Sequence, residues 1–164
     1  MLPLLESMLR ELGREGITAN PPDEEDLARF VATLGPGDIP GLIRAIKASD
    51  EDLASGAAQA LATDEVQDLL DEASIRVDAL NALVKRYELE LRVSDPDAFW
   101  LRSQLIATIV ALSTVDLEDE DRLRIYSALH ELREPDEVIR LTLNCALGLL
   151  GGDIRASDLQ SGGP

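Results

Sequence analysis

One histidine and one cysteine are the side chains of this sequence best suited to proton transfer or nucleophilic attack. His130 lies between Leu129 and Glu131 in a helical stretch. Catalysis there would need a carboxylate or nucleophile brought alongside by the fold, so the spacing predicts an ordinary surface or boundary histidine. Cys145 precedes Ala146 in an apolar helix, which predicts a buried, inert thiol. The two are about fifteen residues apart and cannot assemble a zinc site unaided. The acidic clusters Asp23 to Asp26, Asp50 to Asp52 and Glu118 to Asp121 invite a calcium reading. An EF-hand loop needs glycine at its sixth position and glutamate at its twelfth, and no cluster supplies both. Each cluster instead precedes a helical stretch, where acids suit the first N–H groups and the helix dipole. Gly35-Pro36-Gly37 lacks the lysine and the preceding strand of a phosphate loop. No catalytic, cofactor or metal residue is assigned, and a non-enzyme is expected.

The aromatic residues offer a different chemistry, that of contact. Trp100 is the only tryptophan, and Phe99, Leu101 and Leu105 around it predict a place in the core. Were it exposed, it would suit an interface anchor. With Tyr87 and Tyr126 it completes the set of aromatics that a protein partner would meet first.

Charge narrows the partner classes. Thirty-two acidic residues against 15 basic ones give a formal net charge of -17. That field repels nucleic-acid phosphates and anionic lipid, and it favours protein partners with a basic or amphipathic surface. A DNA mimic rests on net charge alone, and the placing of acids at helix starts argues against it. A single cysteine allows no internal disulfide, which fits a cytoplasmic setting. The stretch Met1 to Gly13 is interrupted by Glu6, Arg10 and Glu11 and lacks the order of a signal peptide. No apolar run is long enough to cross a bilayer.

The elements that would position these residues are helical throughout. From Asp64 to Val93 there is neither proline nor glycine, and Val66, Leu70, Ala73, Val77, Leu80, Val84, Tyr87 and Leu91 recur at alternating steps of four and three. The spacing predicts one helix of about 28 residues, roughly 42 Å long, with a bend near Ala73-Ser74. Thr63 is placed as its N-cap, and Ser94-Asp95-Pro96 as its stop. Arg76, Lys85, Arg86 and Arg92 fall off the stripe and are expected to pair with acids such as Asp71, Glu72 and Glu88.

Before this helix, Leu2, Leu5, Met8, Leu9 and Leu12 mark a first amphipathic helix, and Asn20-Pro21-Pro22 a connector. Leu27, Phe30, Val31 and Leu34 mark a second helix, opened by Asp23 to Asp26. Asp38 is placed as the cap of a third, with Pro40 in its first turn and Ile39, Leu42, Ile43 and Ile46 inward. A small-residue helix follows from Leu53 to Leu61, implying a closely packed neighbour. After Pro96 comes a segment apolar nearly all round, read as the most buried. Leu123, Tyr126, Leu129 and Leu132 stripe the next helix; Val138, Ile139, Leu143, Ala146, Leu147 and Leu150 stripe the last, which ends at Gly151-Gly152. Nothing alternates with period two. The expectation is an all-α fold: residues 1–152 as one domain, with an N-terminal helix pair over 1–36, further pairs over 38–152, and a flexible tail over 153–164.

Three of these helices begin and run alike. Ser49-Asp50-Glu51-Asp52 leads to Leu53, Ser94-Asp95-Pro96-Asp97 leads to Leu101, and Glu134-Pro135-Asp136 leads to Ile139. The intervals are about 48 and 38 residues, close to the roughly 40–47 of a two-helix unit. In Pro135, Ile139, Arg140, Ala146, Leu147 and Gly148, and in Asp95, Pro96, Leu101 and Arg102, the chain resembles HEAT-repeat proteins over roughly Ile39 to Gly152. The resemblance implies stacked antiparallel helix pairs, as a short solenoid or a compact bundle with one long central helix. It also implies a scaffold or adaptor that binds other proteins. Two alternatives stand beside it: a homo-oligomer, such as a dimer, zipped along the long heptad stripe, and a helical small-ligand-binding protein or enzyme.

Overall fold

The computed structural model describes residues 6–10, 12, 24–70, 73–92, 98–113 and 117–151. The expected tail, the Ser94-Asp95-Pro96 stop and the partners Asp71 and Glu72 lie outside them. Every regular element among the described residues is helical. After a helical segment at residues 6–10 and 12 come α1 (Glu24–Ala32), a one-turn 3-10 helix (Pro36–Asp38), α2 (Ile39–Lys47) and α3 (Glu51–Leu61). Then follow α4 (Asp64–Gln67), α5 (Ala73–Leu91), α6 (Ala98–Ser113), α7 (Asp119–His130) and α8 (Glu137–Gly151).

The helices pack as pairs in two layers. α2 packs on α3, α5 on α6, and α7 on α8. The first helices of the pairs meet each other, α2 with α5 and α5 with α7, as do the second helices, α3 with α6 and α6 with α8. Leu53, Leu101 and Ile139, the three positions aligned in the sequence, fall in α3, α6 and α8, and all three are buried.

α6 sits centrally, against α3, α5 and α8, which is why its apolar residues run nearly all round. Leu101, Leu105, Ile106, Ile109 and Leu112 are buried to completion. At roughly 1.5–3 kcal/mol for each fully buried large aliphatic side chain, this helix contributes more burial than its length alone suggests.

α3 is buried continuously from Leu53 to Leu61. Its small residues let backbones touch: a Cβ on Gly56 would collide with the carbonyl oxygen of Leu9. The N-terminal helical segment therefore lies directly on α3, with Gln59 Nε2 donating to Leu12 O at 3.3 Å. Asp50 caps α3 by accepting from Leu53 N at 3.1 Å, and its other oxygen accepts from Arg10 Nε at 2.7 Å.

The structure corrects several expectations. The expected helix of about 28 residues is not continuous. Thr63 does cap its start, accepting from Val66 N, but α4 ends at Gln67 and α5 begins at Ala73. The chain tightens there through Leu69 N to Val66 O and Leu70 N to Gln67 O, which buries Leu70; Arg76 then donates to the Leu70 carbonyl. Burying Leu70 against the core outweighs continuing a surface helix whose stability comes mainly from packing. The heptad stripe is used inside the molecule: Val66, Leu70, Val77, Leu80, Val84 and Tyr87 are all buried in the chain's own core, so this seam is not offered to a second copy.

Asp38 does not cap α2 with its side chain; its carboxylate accepts from Gly35 N at 2.9 Å and closes the 3-10 turn. On α8 the buried stripe is Ile139, Leu143, Ala146 and Leu150. Val138 and Cys145 each sit one position before a stripe residue, about 100° around the helix, and both are exposed. Cys145 is thus not a buried thiol. Arg86, expected outside, is buried and paired with Glu90 at 2.9 Å. Arg92 does pair with Glu88, at 3.0 Å.

A candidate docking cleft between α2 and α5

A cleft of about 530 Å³ opens between the 3-10 turn and α2 on one side and α5 on the other. Two helical spacings build it. On α2, Pro40, Ile43, Arg44 and Lys47 share a face; on α5, Ile75, Asp78, Ala82 and Lys85 recur at steps of three, four and three. Ile39 and Ala82 are buried at its floor, and Ile43 and Ile75 are half-buried along its walls. The cleft is a surface trough and not an enclosed cavity.

Its rim is cationic. Lys47 and Lys85 are the only two lysines in the chain, and both line the cleft, as does Arg44. All three are exposed. The described ion pairs engage Arg10, Arg29, Arg86, Arg92, Arg102, Arg122 and Arg124, and none of these three. One carboxylate, Asp78, and one amide, Asn81, complete the polar lining. Arg44 and Lys47 stand in the last turn of α2, where positive charge suits the dipole. Lys85, within α5, has no such role.

Arg86 fixes the geometry of this wall. Its guanidinium donates to Ile46 O at 3.3 Å and to Ala48 O, the two carbonyls flanking Lys47. It thereby satisfies carbonyls left open at the α2 terminus and binds α5 to the end of α2. Lys47 and Lys85 line the cleft from the two helices that Arg86 joins. Glu90 balances Arg86, but its Oε2 is buried without a hydrogen-bond partner. A buried pair of this kind positions helices more than it stabilises them.

None of Trp100, Tyr87 and Tyr126 lines the cleft, and no described ring contact joins them. Trp100 is 42% exposed on α6, packed edge-on against Phe99 with ring centroids 5.1 Å apart, so it is not a core residue. Tyr87 is buried, and its hydroxyl donates to Glu134 Oε2 at 2.6 Å. Desolvation, then that hydrogen bond, raise its phenol well above the usual tyrosine range. A partner cannot reach it. Tyr126 is half-buried and stacked on exposed His130, 5.5 Å between ring centroids. His130 has no carboxylate in ion-pair range among the described residues, and no three potential metal ligands converge there.

The cleft was legible in the sequence only as two lone lysines and an arginine on helices. Nothing in one dimension says that residues 44, 47 and 85 share a rim. No family model matches the chain, and neither curated proteins nor solved structures give a match. No helix among the described residues is long and apolar enough to cross a membrane.

Proposed function

We propose that the chain is a non-catalytic docking module, a short HEAT-like stack of helix pairs that holds a polypeptide partner in the cleft between α2 and α5. The observation that carries this reading is an aliphatic-floored trough rimmed by the chain's only two lysines and Arg44. Lys85, with no ion pair among the described residues and no helix-end role, shares the cleft with half-buried Ile43 and Ile75, the combination of charge and apolar surface that a binding site displays. At about 530 Å³ the trough is within the size range of small-ligand sites, and its open side leaves room for a longer segment. A polypeptide brings its own bulk and closes the open side. The two-layer pairing of α2, α5 and α7 over α3, α6 and α8 supports the scaffold reading. An exposed thiol at Cys145 with no disulfide partner agrees with a cytoplasmic setting.

A photo-crosslinking side chain placed at Asn81, in the cleft, and at Ser127, exposed on α7, tests it. Polypeptide adducts formed from position 81 and absent from position 127 are expected. Equal labelling from both positions would overturn the proposal.

A further inference from the structure

We infer that the segment held by this cleft is an acidic amphipathic helix, its aliphatic face seated on Pro40, Ile43 and Ile75 and its carboxylates against Arg44, Lys47 and Lys85. This rests on the docking reading above and specifies the partner's chemistry. The net charge of -17 points the other way, to a basic partner. Contact is decided locally, however, because charges further apart than about 8 Å are largely screened at physiological salt. Within the cleft three cations face one carboxylate, so a basic segment would meet like charge where it docks.

The trough also selects a helix. Among the described residues there is no strand edge to extend, so an added β-strand has nothing to pair with. A furrow between two packed helices suits a third helix with apolar anchors at helical spacing.

The opposition between local and overall charge gives the inference a kinetic signature. Far from the surface the whole chain repels an acidic helix, so added salt speeds association. At contact the lysines hold it, so added salt also speeds dissociation. A basic helix would show association slowed by salt.

The test uses the full chain and two synthetic amphipathic helices of about 18 residues, with the same leucine face and either glutamates or lysines elsewhere. Binding is followed by titration and stopped flow, and the site by amide exchange. The glutamate helix is expected to bind tighter, to protect amides of α2 and α5, and to associate faster as salt rises from low to physiological. The pair Lys47→Glu and Lys85→Glu is expected to weaken it about tenfold or more, while Arg133→Glu, exposed and outside the cleft, leaves it unchanged. Tighter binding of the lysine helix at α2 and α5 would overturn the acidic partner and leave the docking site standing. So would affinity indifferent to the lysine reversals. Protection of α2 and α5 by neither helix would overturn both readings, and so would a second copy of the chain found in the cleft by light scattering and released by Lys85→Glu.

Discussion

Tyr87 donates its hydroxyl to Glu134 at 2.6 Å across 47 positions of sequence, tying α5 to the α7–α8 connection. Arg102 on α6 reaches the same carboxylate with two donors, Nε to Oε2 at 3.1 Å and an Nη to Oε1 at 3.2 Å. The backbone N–H of Asp136 adds a further bond to Oε1 at 3.1 Å. Glu134 has no exposed side-chain surface, so its charge is sustained only by these donors. Removing one member of a buried ion pair leaves the other uncompensated. Glu134→Ala is therefore expected to cost about 3–5 kcal/mol in urea unfolding, and Tyr87→Phe about 2 kcal/mol, as for a hydrogen bond to a charged group. Replacing Arg102 and Glu134 together by Met and Leu is expected to cost less than Glu134→Ala alone.

The same buried phenol sets a limit at high pH. The folded-state pKa of Tyr87 is raised above the ordinary value of about 10. Its contribution to stability is thus complete below pH ~10 and is lost as pH rises toward the folded value. An alkaline absorbance titration is expected to show Tyr87 ionising only as the chain unfolds. Tyr87→Phe should remove that late step.

Gly56→Ala tests the contact between the N-terminal helical segment and α3. The added methyl would meet the Leu9 carbonyl, which is backbone and cannot rotate aside. A loss of about 1–3 kcal/mol is expected, with increased amide exchange at residues 6–10 before the rest of the chain.

Acid should act through Asp50. The Arg10 guanidinium beside it, aided by Leu53 N–H, holds its carboxyl below the usual carboxylate range, against desolvation. A depressed folded pKa contributes stability above the unfolded value of about 3.9, and this is lost as pH falls through the folded value. Asp50→Ala is expected to cost about 1 kcal/mol at neutral pH through the lost cap. It should also flatten the stability profile below pH ~4, as measured by thermal unfolding.

Cys145 is exposed on α8. In the native chain it is expected to react fully with a thiol reagent without denaturant. A thiol unreactive until denaturant is added would contradict its placement.

The sequence by itself determined the helical class, most element positions and the helix starts. Those depend on local periodicity and on caps within one turn, as with Thr63 at α4, Asp50 at α3 and the inward Ile139, Leu143, Ala146 and Leu150 of α8. It also placed Leu53, Leu101 and Ile139 on the inward faces of their helices, because burial imposes the same apolar pattern on each. The break at Asp68 to Leu70, the burial of Arg86 and the exposure of Trp100 and Cys145 were decided by the tertiary structure. Each depends on which neighbour occupies a given side of a helix. A helical pattern specifies faces but not what they meet, so a leucine can end a helix to reach the core, and an arginine can turn inward where open carbonyls and a glutamate await it. The cleft is of the same kind. Its rim joins residues 44, 47 and 85, which only the packing of α2 on α5 brings together.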